Sequence, residues 1–439
     1  MEFNKTTLIY IGVPIAALVL ILIAWFGLKS SPLGSASLVM WGFEEGQIYD
    51  DLLRDLKAKY PSIAITYVQK STSNYERQLL DAMASGNGPD IFPVYHTWLP
   101  SFKDKISPVP ADMTPLKTYY DTFVDAATQD FVADGSIWGV PLYVDSLALY
   151  WNKDFFNSAG IPEPPKNWDD FMAAAAKLTV KDSNGGITRA GAAMGTALNI
   201  DASSDILALL MLQTGTRMVD DQKTQATFNQ PIILNGENYE PAISALSFYT
   251  QFAMPQKEQS TLNPVYTWGS EMESSLESFE RGGTAMMINY SGAAAQIAKK
   301  YPYLNFAIAP MPQVKDASIS VNYANYWAQS VWVNSKHPKE AWQAIFALAD
   351  SDIAEKYLTA VKKPTARRDL VNWQKDDPTL GVFAAQSLSA RSWYQVDNNA
   401  IADIFKQMIE NVVSGQSSPR DVIESAAYKV TALMRENKD

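Results

Sequence analysis

The 439-residue sequence contains no cysteine. That excludes disulfides, thiolate metal sites, cysteine nucleophiles and lipid attachment through a cysteine. It leaves the redox compartment open, because a chain without thiols is at home in either. Histidine is almost as scarce. His96 and His337 stand far apart, so a zinc site would have to draw mostly on carboxylates. Basic clusters are missing too. With 36 Lys and Arg against 47 Asp and Glu, the formal net charge is -11. Such a chain has no broad attraction for nucleic acid, and no basic run marks a pocket for a phosphate or carboxylate ligand. No Walker loop, G-x-S-x-G or H-E-x-x-H occurs. "KDSNGG" at 181–186 resembles half a calcium loop, but no Glu stands at the far position and it reads as a plain turn. No metal and no cofactor is expected, and there is no internal repeat.

What is present is a globular composition, with 47% hydrophobic and 19% charged residues. The length suits two or three domains. Aromatics reach 12%, with 12 Trp and 21 Tyr. That is more flat, amphipathic surface than a core requires, and part of it is expected to line a binding site.

One long apolar run stands at the N-terminus. "TLIYIGVPIAALVLILIAWFGL" at 7–28 carries no charge, and a helix needs about 20 apolar residues to cross a bilayer. Lys5 and Lys29 flank it, and Trp25 sits near one end, as at a membrane interface. A cleaved signal peptide is the alternative. The run is long for that, and "SSPLGSAS" at 30–37 is a poor cleavage site. The reading is a retained single-pass anchor and a short flexible tether, with the large domain on the extracytoplasmic side.

The chain then reads strand, helix, strand, helix, strand. "SLVMW", "IAITYV" and "PDIFPV" are the strands. "QIYDDLLRDLKAKY" and "NYERQLLDAMASG" are amphipathic helices between them. This order predicts a parallel sheet covered on both faces. Ligands collect at the carboxyl ends of such strands. Three loops leave those ends and are expected to converge: Gly42-Phe43-Glu44-Glu45, Gln69-Lys70-Ser71-Thr72 and Tyr95-His96-Thr97-Trp98.

Residues 138–156, "WGVPLYVDSLALYWNKDFF", read as strand with an aspartate, Asp145, in the middle. A catalyst, a buried structural acid and a ligand acceptor are all open for it. Beyond it, Asn167 is placed to cap a helix that carries Asp169 and Asp170 in its first turn. "GGTAMMINY" and "LNFAIAPMP" hold strands, and "SGAAAQIAKKY" a helix. "YWAQSVWVNS" is a strand, "HPKEAWQAIFALAD" a helix with Pro338 in its first turn. Residues 398–436 read as two helices parted by Gly415.

Several of these blocks resemble, in order, the extracytoplasmic solute-binding proteins of ABC importers, in the sugar-binding group that includes maltose-binding protein. They are "SGNGPDIF", "IWGVPLYVDSLALYWNKDFFNSAGI" with "PPKNWDDF", "FERGGTAMMINYSGAAAQI" with "FAIAPMP", "VWVNSKHPKEAWQAIFAL" and "VVSGQSSPRDVIESA". The resemblance covers nearly the whole chain after the apolar run. It implies an α/β, two-lobe periplasmic-binding-protein-like fold with a hinge, here preceded by one N-terminal transmembrane helix. Residues 1–36 would be anchor and tether, 37–144 with 304–349 lobe one, and 145–303 with 350–439 lobe two. The ligand would lie between the lobes, and closure would be hinge bending. Many relatives are free in the periplasm or tethered by a lipidated cysteine. A membrane helix would replace it here.

Carried over residue by residue, the resemblance implies that Asp145 accepts sugar hydroxyls at the hinge side of the cleft. The alternative is an acid braced by backbone N–H groups. Glu44 or Glu45 would face the cleft, or the pair is a solvated helix start. Paired carboxylates also suggest glycoside hydrolysis, but the resemblance is not to hydrolases. Trp98 would stack on a sugar ring beside His96, or pack under its loop. The charged residues of the maltose type are absent from that loop. Trp268, Tyr326, Trp327 and Trp393 come from segments that border the cleft in relatives, and core packing is the alternative for each. Asp397 would be a further acceptor. Ser291 is a helix N-cap whose neighbouring N–H groups can receive a ligand oxygen.

The expectation is a non-enzymatic, monomeric receptor. It binds a solute, expected to be an oligosaccharide, and presents it to ABC permease subunits. A membrane-anchored carbohydrate-active enzyme, a solute-binding sensor subunit and a polyamine receptor are the rival readings.

Overall fold

The structure, a computed structural model, describes residues 36–255 and 265–436. The expected anchor at 7–28 lies outside them. Among the described residues no helix is long and apolar enough to cross a membrane.

The chain opens with β1 (Ala36–Gly42), α1 (Gly46–Lys59), β2 (Ile63–Gln69), α2 (Tyr75–Ala84) and β3 (Ile91–Tyr95). Strands β4 (Ile106–Ser107), β5 (Val140–Pro141), β6 (Asp145–Ser146) and β7 (Ala148–Asn152) follow. Then come α3 (Trp168–Leu178), α4 (Ser203–Gln213), β8 (Met286–Asn289), α5 (Gly292–Lys300) and β9 (Phe306–Ala309). The chain continues through β10 (Asn322–Asn325), β11 (Trp327–Trp332), α6 (Pro338–Leu348) and α7 (Ser351–Val361). It ends with β12 (Ala390–Arg391), α8 (Asn398–Val413) and α9 (Pro419–Glu436).

Two separate hydrophobic cores define two lobes. In the first, β1 pairs in parallel with β2 over its whole length and with β3 at its far end. The alternation of β1 buries Ala36, Leu38 and Met40 and leaves Ser37 and Val39 exposed. Helix α1 packs Tyr49, Leu52 and Leu56 inward, and Lys57 and Lys59 favour the negative end of its dipole. Strand β11 enters antiparallel beside β3, giving the order β2-β1-β3-β11-β4, with β5 also on β11. Gly42 ends β1 because the Tyr67 ring occupies the place of a side chain: a Cβ there would sit 2.6 Å from it.

The second lobe is built on β8-β7-β9, all antiparallel. Helix α4 is apolar almost all round, with Ile206 to Met211 buried, as for a helix wrapped by others. Asn167 caps α3 as expected, accepting from the Asp170 N–H at 2.9 Å.

Between the lobes runs a small sheet, β12-β10-β6, and the chain passes between the lobes at β6, at β10 and again between Leu370 and Phe383. Residues 138–156 are therefore not one strand. They split into β5, β6 and β7 because the first pairs in lobe one, the second in the hinge and the third in lobe two. The expected lobe boundaries shift as well. Residues 304–323 belong to lobe two, since β9 pairs with β7 and Met311 and Tyr323 join that core. Residues 351–370 belong to lobe one, where Ile353, Tyr357 and Leu358 pack.

Candidate functional site

The carboxyl ends of β1, β2 and β3 do converge. Lys70 N–H donates to Gly42 O at 2.7 Å, and Tyr67 hydroxyl to Glu44 O at 2.8 Å. Phe43, Tyr75, Trp98 and Trp327 pack ring against ring beside the end of β3, with Phe43 edge-on to Trp327 at 4.7 Å.

A cavity of about 150 Å³ lies between the lobes. Lobe one contributes Tyr95, His96 and Thr97 from the loop after β3. Lobe two contributes Ser204, Asp205 and Ala208 from the start of α4 and Asn398, Ile401 and Phe405 from α8. Tyr323 of the hinge strand and Trp393 and Gln395, between β12 and α8, close it. His96, Thr97, Trp393 and Gln395 also line an outer cavity of about 570 Å³, so the two form one cleft.

His96 is 3% exposed and stacks on Tyr326, with centroids 5.2 Å apart. Its Nδ1 stands 3.6 Å from Asp130 Oδ2, beyond hydrogen-bond reach, and has no partner. The Thr97 hydroxyl is buried and unpartnered too. Both atoms are closed off from solvent, so His96 and Thr97 present the rest of their surface to the cleft. Asp130 is held by the Tyr326 hydroxyl at 2.7 Å and by the Ser392 hydroxyl.

Across the cavity Asp205 Oδ2 accepts from the Tyr290 hydroxyl at 2.6 Å. Burial pushes its carboxyl above the usual carboxylate range, while Tyr290, His96, Asn325 and Lys406 pull the other way. Trp393 stacks on Phe405 at 5.7 Å, and Gln395 donates to the Tyr323 hydroxyl at 3.4 Å. The lobes also touch at the lip: Trp98 Nε1 donates to Asn398 Oδ1 at 2.8 Å and Ser101 Oγ to Val396 O at 2.9 Å.

Of the residues singled out in the sequence, His96 and Trp393 line the cleft. The others sit elsewhere. Asp145 Oδ1 accepts from the N–H groups of Ser146 (2.9 Å) and Ser291 (3.2 Å), and its Oδ2 from Ser291 Oγ at 2.6 Å. Lys363 Nζ stands 3.6 Å away. Asp145 is therefore a hinge brace, and Ser291 is its partner. Burial raises the Asp145 pKa, with Lys363 and Ser291 opposing. Glu44 turns to a tyrosine cluster and accepts from the Tyr357 hydroxyl at 2.9 Å. Glu45 is the exposed residue before α1. Trp98 has the rings of Tyr75 and Phe102 running nearly parallel to its own and its N–H spent on Asn398, so its part is in joining the lobes. Trp268 is fully buried in the second core and donates to Asn199 Oδ1 at 3.0 Å. Tyr326 is fully buried behind His96, and Trp327 is the half-buried centre of the ring cluster. Asp397 is exposed and caps α8, accepting from Ala400 N–H at 2.9 Å.

Sequence reasoning missed Asp205, Asp130, Tyr323, Gln395 and Asn398. A signal existed for Asp205: it is a carboxylate in the first turn of a helix otherwise buried all round. The outer cavity also gathers Lys103, Lys223 and Arg391. These cations are distant in sequence, and no run of basic residues announces them.

Two α/β lobes, three hinge crossings and a cleft lined by rings, amides and a carboxylate define a solute-binding architecture. The chain belongs to the bacterial extracellular solute-binding protein family, whose model matches residues 41–385. A Brucella abortus chain, named only as a binding protein of putative status, is 24% identical over 396 residues, covering 89% of this chain and 90% of that one. The sn-glycerol-3-phosphate-binding periplasmic protein UgpB of Escherichia coli K12 is 22% identical over 449 residues, covering 91% and 92%. The solved sugar-binding protein MalE of Xanthomonas citri superposes with a TM-score of 0.75 at 19% identity, over 92% of this chain and 98% of that one. That likeness establishes the fold.

Proposed function

We propose that this protein is the extracytoplasmic receptor of an ABC importer, and that it closes on a carbohydrate and delivers it unchanged to a membrane permease. The residues of 7–28 would hold it to the membrane as a single-pass anchor.

The observation that carries the carbohydrate class is the make-up of the cleft. Flat rings (Tyr95, Tyr323, Trp393) stand beside acceptors and amides (Asp205, Gln395, Asn398) between the lobes. A sugar offers a C–H face to rings and hydroxyls that both donate and accept. The name of the Xanthomonas citri protein agrees with this class. A polyamine fits less well, because it would pass Lys223 and Arg391 on its way in. Closure follows from a ligand that touches both lobes and so favours the closed population.

The test is a tryptophan-fluorescence titration of the full chain with neutral oligosaccharides, in a detergent without a sugar headgroup. We expect saturable binding at one site per chain, and loss of about tenfold or more in affinity for Trp393→Ala, as for an aromatic anchor. Recovery of a cleaved glycan would contradict the receptor reading. Equal affinity of the variant would contradict the site.

A further inference from the structure

The outer half of the cleft carries charge that its own residues do not neutralise. Lys103 and Asp134 form an ion pair there. Asp130 accepts from the Tyr326 and Ser392 hydroxyls, which leave its charge in place. Three cations, Lys103, Lys223 and Arg391, therefore stand against two carboxylates, Asp130 and Asp134, and the surplus lies with Arg391 and Lys223. Both are exposed, and among the described residues neither forms an ion pair. Lys223 Nζ lies 5.0 Å from the Tyr394 ring centroid, and Asp134, which Lys103 holds down first, feels it only at longer range.

Lys223 lies in the turn between Asp220 and Gln225, with φ 54 and its N–H donating to Asp220 O at 3.0 Å, and that turn brings it to the outer cavity. His96, Thr97, Trp393 and Gln395 form the wall that the outer and inner cavities share. A molecule reaching from the inner cavity past that wall would meet the two free cations. In a chain of net charge -11, such a pair is a local exception.

We infer that the ligand is an anionic carbohydrate or polyol: its hydroxylated part lies in the inner cavity, and its phosphate or carboxylate lies against Arg391 and Lys223 in the outer one. This rests on the proposed receptor function and names the class of its solute. The planar guanidinium of Arg391 suits either oxyanion, which it can hold through two parallel N–H donors. Lys223 adds a point charge beside it.

The experiment titrates the full chain, by calorimetry, with matched pairs: glycerol and sn-glycerol 3-phosphate, galactose and galacturonate, and maltotriose as a neutral control, with inorganic phosphate alongside. The expected result is that a phosphorylated or carboxylated member binds at least about tenfold more tightly than its neutral partner. Arg391→Gln and Lys223→Gln should each remove much of that margin, costing the anionic member far more affinity than the neutral one, and added salt should erode it. Which pair shows the margin separates phosphate from carboxylate. A neutral sugar that binds as tightly as every anionic member overturns the inference and leaves the receptor reading standing. Failure of every anionic member to bind overturns it as well. Phosphate alone binding as tightly as the phosphorylated polyol would keep an anion site but overturn the carbohydrate part.

Discussion

Trp98 Nε1 and Asn398 Oδ1 are 2.8 Å apart, and that bond joins the loop after β3 in lobe one to the start of α8 in lobe two. Ser101 Oγ to Val396 O, at 2.9 Å, is its neighbour. Asn398 also lines the inner cavity. One residue thus helps hold the lobes together and bounds the ligand's space.

Asn398→Ala should loosen closure. It removes an acceptor from a nearly buried indole N–H, an effect of about 1 kcal/mol. Affinity for a ligand that bridges the lobes should fall about fivefold. The ligand-free variant should show a larger radius of gyration by X-ray scattering, with thermal stability little changed. Unchanged dimensions and affinity would remove the lip bond from the closing mechanism.

Asp145→Ala should act on stability. Three hydrogen bonds from Ser146 and Ser291 converge on this buried carboxylate, with Lys363 beside it. Removing it strands those donors, which costs about 2 kcal/mol. Asp145→Asn keeps an acceptor and should lose about half as much. The check is the urea midpoint at unchanged slope. A variant of wild-type stability that no longer binds would return Asp145 to the ligand site.

Asp205 gives stability a dependence on pH. Its folded pKa lies above the usual 3.8, so the folded protein holds the proton more tightly than the unfolded chain. The acid therefore supports the fold at pH below 3.8 and detracts from it as pH rises from there through its raised folded value. Relative to wild type, Asp205→Asn should gain melting temperature across that window and level off above it. A difference that does not change with pH would contradict the buried setting of Asp205.

Gly191→Ala should destabilise lobe two. Its N–H donates to Thr179 Oγ1 at 3.0 Å, and a Cβ would stand 1.9 Å from the Ala175 carbonyl oxygen. Both partners lie at the end of α3, so the helix would have to move away. The expected loss is about 1–3 kcal/mol, read as a lower denaturant midpoint. A variant of wild-type midpoint would mean that the contact relaxes freely.

Much of lobe one is legible in the sequence. Each strand there is a short apolar run and each helix a stripe of apolar residues between turn signals, as β1, α1 and β2 illustrate. The cap at Asn167 and the helices on either side of Gly415 are local features, and local chemistry predicts them. The hinge is not local. Residues 138–156 read as one strand because apolarity marks burial but not the partner, and β5, β6 and β7 pair with three different sheets. The site follows the same logic. His96 stands in a loop at the end of a strand, and Trp393 is marked by the family resemblance alone. The roles of Asp130 with Ser392, or of Arg391 with Lys223, exist only once distant segments meet. Asp145 has the look of a ligand acceptor in sequence, but its partner Ser291, far along the chain, makes it a brace.

A receptor of this kind holds its solute between the lobes and leaves it unchanged. Thermal unfolding of the full chain against a panel of neutral and anionic glycans and polyamines tests it most directly, followed by analysis of the recovered ligand. A ligand at about 100 times its dissociation constant adds roughly 2.7 kcal/mol to the folded state. The expected result is a shift of that size for one glycan series, with the glycan recovered intact. A shift only with polyamines, or a glycan recovered in pieces, would contradict it.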